Sequence, residues 1–177
     1  MKFLTFLILL PVFMFIFSNC NEKKKNSHYS FTDTINIKNT LQYANKKLVK
    51  TEEEQINDII NRYGWKMEET GTGLKYMIYK KTKGNKPKKG EIAIINYVVK
   101  LITGDLCYSS KEDGPLEILI GKNTEISGLE EAVLLLHEGE KAKLIVPSHL
   151  AYGLLGDEKK IPKRATLIYD IELIKIK

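Results

Sequence analysis

Apolar and polar residues follow different periods in different parts of this chain, and the changes of period divide it. Phe3 to Phe17 is an almost continuous apolar run, and Asn21 to Lys50 is polar with few periodic apolar positions. Ile56, Ile59, Ile60 and Tyr63 then recur at helical spacing, and Gly64 stops them. Thr51 with Glu54 reads as a capping box that opens this helix. Its apolar stripe must bury against the main domain or against a second copy. Gly71 to Tyr79 reads as a turn and a strand with Leu74, Tyr76 and Ile78 on one face. From Gly90 the period is two. Glu91 to Leu101 places Ala93, Ile95, Tyr97, Val99 and Leu101 on one face, and Leu116, Ile118 and Ile120 share a face of a second strand. Ser127 with Glu130 forms a second capping box before a helix whose buried stripe is Leu129, Ala132, Val133 and Leu136. Lys141 to Val146 is a strand ended by Pro147, and Ala165 to Ile176 is the longest, aligning Leu167, Tyr169, Ile171 and Leu173. One short helix on an antiparallel sheet is an α+β architecture.

The opening run changes the picture of where the fold begins. A single charge, Lys2, precedes an apolar stretch shorter than the ~20 residues of a spanning helix, and Pro11 interrupts it. The pattern reads as an export signal over residues 1–19. Residues 20–50 read as a tether, 51–89 as a helix and strand extension, and 90–177 as the main domain. A hydrophobic content of 43% suffices for a buried core, and the net charge of +6 is a modest basic excess. Lys80 to Lys89 holds six lysines, but no aromatic residue lies among them to stack a base, so an exposed connection is expected and no nucleic-acid partner. Lys23 to Lys25 could touch anionic lipid or simply be solvated. His28, His137 and His149 lack metal-ligand spacing, and no metal or cofactor is expected. Cys107 has no basic neighbour in sequence and reads as a small packed thiol.

Four fragments of the last third carry candidate chemistry: Ser127 to Glu131, Ala151-Tyr152-Gly153, Ile161-Pro162, and Ala165 to Leu173. Together they describe a helix, a tyrosine-bearing loop and a closing strand around an apolar cup. Their order, with Gly121-Lys122 and Gly139 to Ala142 between them, resembles the FKBP-type peptidyl-prolyl cis-trans isomerases over roughly Gly90 to Lys177. The resemblance implies an FKBP-like sheet wrapped around one short helix. It also implies rotation about X–Pro bonds without acid, base or metal. By resemblance, Tyr97, Tyr152 and Tyr169 are the catalytic candidates. Cys107, Tyr108, Leu116, Ile118, Glu125, Ile126, Leu129 and Ile161 would contact substrate. Within these, the Ile126 N–H would hold the substrate chain, Ile161 would close over the proline, and Leu129 would form the floor. Tyr97 and Tyr152 have the stronger claim to a site, because a buried hydroxyl needs a partner; Leu129, Ile118 and Tyr169 could equally be core. The family usually has a phenylalanine and an aspartate where Cys107 and Tyr108 stand, and a tryptophan at Leu129. A wider, less aromatic and less charged pocket is therefore expected, with lower turnover.

Cys20 directly after the apolar run resembles the acylated cysteine of a bacterial lipobox, with Phe17 and Asn19 departing from its commonest form. The alternative is an ordinary secretory signal with a chance cysteine. The lipobox and the approach to Gly90 resemble, more narrowly, FKBP-type lipoproteins associated with gliding motility in Bacteroidetes. This reading places the protein on a membrane of the cell envelope through a lipid anchor, facing the periplasm, with proline-containing segments of exported proteins as partners. A non-catalytic module or chaperone holding such segments in the same cup is the competing reading.

Overall fold

The structure is a computed structural model that describes residues 31–177. The export signal, Cys20, Lys23 to Lys25 and His28 lie outside the described residues. The chain divides into two units, one ending at Gln42 and the other running from Tyr43 to Lys177. The described part of the first is helical, with the Thr40 hydroxyl donating back to the Asn36 carbonyl at 2.9 Å.

That helix, α1, spans Phe31–Tyr63, so residues 31–50 are helical and the helix does not open at Thr51 as expected. Thr51 is interior and does not cap: its hydroxyl donates to the Lys47 carbonyl at 3.0 Å. The reason lies in residues 41–50, where Leu, Gln, Ala and Lys are good helix formers despite their polarity. Gly64 does end α1. It takes φ +64°, its N–H donates to Asn61, and the Trp65 N–H donates to Ile60, which together close the helix in a Schellman motif.

Ile56 and Ile59 bury against Ile145 of the main sheet, with Trp65, Met67 and Ile168 packed around them. The stripe therefore finds its partner within the same unit. Tyr63, at its end, stays 60% exposed and stacks on Trp65. Glu52 adds a polar tie, accepting from the Ser148 N–H at 2.6 Å and hydroxyl at 3.0 Å and from the Thr166 hydroxyl at 2.5 Å. At ~1.5–3 kcal/mol for each buried isoleucine, and a similar amount for a hydrogen bond to a charged acceptor, both kinds of contact hold the helix.

The sheet has seven antiparallel strands. They are β1 (Glu68–Glu69), β2 (Lys75–Lys80), β3 (Ile92–Leu101), β4 (Leu106–Ser109), β5 (Leu116–Leu119), β6 (Lys141–Val146) and β7 (Leu167–Ile176). Their order is β1-β2-β6-β7-β3-β4, with β5 also paired to β3. The long strands β3 and β7 are neighbours at the centre, and their period-two faces are buried: Ala93, Ile95 and Val99 on one, Leu167, Tyr169, Ile171 and Leu173 on the other. The far edge of β3 changes partner midway, pairing with β5 through Ile95 and with β4 from Val98. That change shapes the site.

A short helix α2 (Ser110–Asp113) follows β4, and α3 (Ser127–Leu135) packs on the sheet with Leu129, Ala132 and Val133 buried. Helix and sheet approach closely at Gly128, where a Cβ would lie 2.5 Å from Val146 Cγ1. The second expected capping box is absent. Ile126 occupies the cap position, the Ser127 hydroxyl turns to the Leu150 carbonyl at 3.3 Å, and the Glu130 carboxylate accepts from the Gly121 N–H at 2.5 Å. Both side chains found long-range partners in place of the local ones that the spacing suggested. Among the described residues no helix is long and apolar enough to cross a membrane.

Candidate functional site

The site begins with a row across three strands. Tyr108 on β4, Val99 on β3 and Tyr169 on β7 are direct partners, so their side chains share one face. Tyr97 lies two residues before Val99 on that same face. It sits where β3 changes partner, and its backbone N–H, left without a strand neighbour, donates to the Ser110 hydroxyl at 3.1 Å. Leu116 contributes from the start of β5, Glu125 from the segment before α3, and Leu129 from α3 itself. Tyr152 follows a single 3-10 turn, Ser148–Leu150, whose first carbonyl accepts from both the Ala151 and Gly153 N–H groups. With Asp157 and Lys159 of the next loop, these residues line an open cavity of about 290 Å³.

Tyr97, Tyr108, Leu116, Glu125, Leu129, Tyr152 and Tyr169 are thus brought together. Cys107, Ile118 and Ile161 are not on the wall. All three are buried in the main core. Ile118 follows Leu116 on the same face but lies two residues deeper. Cys107 points opposite to Tyr108, with its thiol 3.8 Å from the Asp105 carbonyl and 4.0 Å from that of Lys160. Burial pushes that thiol up, which keeps it protonated. Ile161 anchors the loop from below. Ile126 packs half-buried against the core, and among the described residues nothing accepts from its backbone N–H.

Three lining residues escaped the sequence reading: Val99, Asp157 and Lys159. Val99 was legible in the alternation of β3. Asp157 corrects the expectation of a less charged pocket. One oxygen of its carboxylate accepts from the N–H groups of Lys159 at 2.9 Å and Ile161 at 2.7 Å, and the other accepts from the Tyr108 hydroxyl. A loop acid therefore meets Tyr108 across the site. Burial alone would raise this carboxyl, but the hydrogen bonds from Tyr108, Ile161 and Lys159 outweigh it and hold it below its ordinary range. The same bond pushes the Tyr108 phenol up to about 12.

The remaining phenols of the cup are also raised, first by burial and then by nearby groups: Asp113 and Glu125 for Tyr97, Glu125 and Asp157 for Tyr152, and Tyr152 and then Glu125 for Tyr169. All stay protonated at neutral pH and can donate. The cup is therefore an apolar floor with a ring of hydroxyl donors, held by a latched loop. It contains no nucleophile paired with a base. Such a site can bind an amide and hold its carbonyl while an apolar floor meets the bond beside it.

The family model described as FKBP-type peptidyl-prolyl cis-trans isomerase matches residues 83–174. A probable FKBP-type peptidyl-prolyl cis-trans isomerase FkpA of Neisseria meningitidis serogroup B is 39% identical over 107 residues, which are 60% of this chain and 39% of that protein. The human peptidyl-prolyl cis-trans isomerase FKBP2 is 39% identical over 92 residues, 51% of this chain and 65% of the relative. The crystal structure of FkpA from Escherichia coli superposes with a TM-score of 0.63 at 27% identity, covering 85% of this chain and 74% of that one. The matched stretch thus spans less than two thirds of either curated relative.

Proposed function

The chain belongs to the family of FKBP-type peptidyl-prolyl cis-trans isomerases, and from that premise we propose that its cup catalyses rotation about X–Pro bonds. The observation that carries this reading is the cup itself, in which the Leu129 floor faces the Tyr97, Tyr152 and Tyr169 walls. Rotation of a peptide bond meets a barrier of ~18–20 kcal/mol, and for X–Pro it takes tens to hundreds of seconds. No bond breaks. The twisted amide has lost its resonance and is less polar than the planar one, so the apolar Leu129 floor of the cup favours it over the ground state. The tyrosine hydroxyls hold the substrate carbonyl while the bond turns.

The test is the refolding of a protein whose slow phase is limited by proline isomerisation. Catalytic amounts of this protein should accelerate that phase. Tyr152→Phe should lower kcat/KM about ten-fold, the worth of one well-placed hydrogen bond, with little change in melting temperature. No acceleration would leave the binding-module reading in its place. The replacement of the family's tryptophan by Leu129, and of its phenylalanine and aspartate by Cys107 and Tyr108, favours that second reading.

The same proposal extends to place. The apolar run Phe3 to Phe17 ending near Cys20 supports a lipid-anchored protein of the cell envelope that assists folding of exported chains, related to the gliding-motility lipoproteins. More than one acyl chain gives stable anchoring where one gives only marginal binding. Cys20→Ser is therefore expected to abolish palmitate labelling and release the protein from the membrane fraction. Retained label would remove the anchor from the proposal.

A further inference from the structure

Three charged residues line the cup, and they are not equivalent. The carboxylate of Asp157 is already occupied by Tyr108, Lys159 and Ile161. Lys159 is exposed on the loop, and its ammonium sits on a flexible stem that can turn to water. Glu125 differs from both. It is half-buried, and among the described residues no cation pairs with it. Burial pushes its carboxyl up with no hydrogen bond to offset the cost. It lines the same cavity as Tyr97, Tyr152 and Tyr169. Lys160, beside the cup, holds its ammonium over the Tyr108 ring at 5.0 Å, so the lining charge left without a partner is the Glu125 carboxylate.

We propose that Glu125 makes this cup selective for proline segments that carry a lysine or arginine next to the proline. An incoming ammonium or guanidinium supplies the partner the carboxylate lacks, while an acidic neighbour meets repulsion. The selection rests on the reading of the cup as a proline site. It is independent of whether the bound proline is then isomerised.

The test uses peptides identical except for lysine, norleucine or glutamate immediately before or immediately after the proline. Both kcat/KM for isomerisation and Kd by calorimetry are measured at low and at high salt. At one of the two positions lysine is expected to exceed norleucine by about five-fold, the upper range for a partly exposed pair, with glutamate below both. High salt should shrink the preference, and in Glu125→Gln the lysine-to-norleucine ratio should fall to about one. Equal lysine and glutamate peptides at both positions, a ratio unchanged by Glu125→Gln, or a preference indifferent to salt would each overturn the assignment. If no peptide is isomerised, the catalytic reading fails and the ratio of Kd values decides the selection by the same outcomes. If Glu125→Gln does not fold, the salt dependence of the unsubstituted protein decides it.

Discussion

Asp157→Ala is expected to lower turnover in a proline isomerisation assay by about ten-fold and stability by about 2 kcal/mol. The carboxylate gathers three donors from two parts of the site, the Tyr108 hydroxyl of β4 and the Lys159 and Ile161 N–H groups of its own loop. A hydrogen bond to a charged acceptor contributes ~1.5–3 kcal/mol where it is buried. Asp157 is only partly buried, so the sum is discounted toward a single such bond. The pH dependence carries a definite sign. The folded carboxyl lies below the ordinary value of 3.8, so its contribution is complete above that pH and is lost as pH falls below it. The Tyr108 phenol, raised from 10.0 to about 12, loses its share as pH rises through that interval. Urea melts of the unsubstituted protein and Asp157→Asn should therefore differ at pH 7 and converge below pH 3.8. Equal stability at pH 7 would mean that the latch does not hold the loop.

The sheet and its core were legible because the signal that predicts them is the one that builds them. Leu167, Tyr169, Ile171 and Leu173 alternate in sequence, and each is buried in β7. Ile56 and Ile59 were found for the same reason, through helical spacing and burial on one side. The start of α1 was not legible, since nothing between residues 31 and 50 is periodic and every side chain from Ile35 to Lys50 is exposed. Only backbone propensity marks it, and that signal is weak residue by residue.

The same division runs through the site. Tyr152, Tyr169 and Leu129 stood out through motifs, and Tyr97 through the family resemblance of its strand. Asp157 did not, because its role depends on Tyr108, which is 49 residues away and reached only when the loop folds over β4. The two capping boxes failed for different reasons: Thr51 lies inside a helix that begins upstream of it, whereas α3 does start at Ser127 but the Ser127 and Glu130 side chains have better partners elsewhere in the fold. Glu130 has Gly121, and Ser127 has Leu150.

The largest effect is expected from a single methyl group at Gly156. This residue opens the latch loop with φ +75°, and a Cβ there would lie 2.4 Å from the Ile161 carbonyl oxygen and 3.0 Å from the Pro162 carbonyl carbon. The left-handed conformation alone costs a non-glycine residue ~1–2 kcal/mol. The contact adds more, because both neighbours are backbone and neither can swing aside. The loop must open, and the bond from the Asp157 N–H to the Ile161 carbonyl, now 3.1 Å, is the first to go. Asp157 then leaves Tyr108, so Gly156→Ala includes the loss predicted for Asp157→Ala and adds displacement of the loop over the cup. A shift of about 1 Å in a positioning element can cost 10²-fold in rate, and about that loss in kcat/KM is expected, with a clear fall in melting temperature. Gly153→Ala supplies the control. Gly153 also has positive φ, at +58°, but nothing lies within 4 Å of its Cβ position, so that variant carries backbone strain without the collision. If the two variants lose the same stability and rate, strain alone explains both, and the close packing of Gly156 on Ile161 has no part in holding the cup closed.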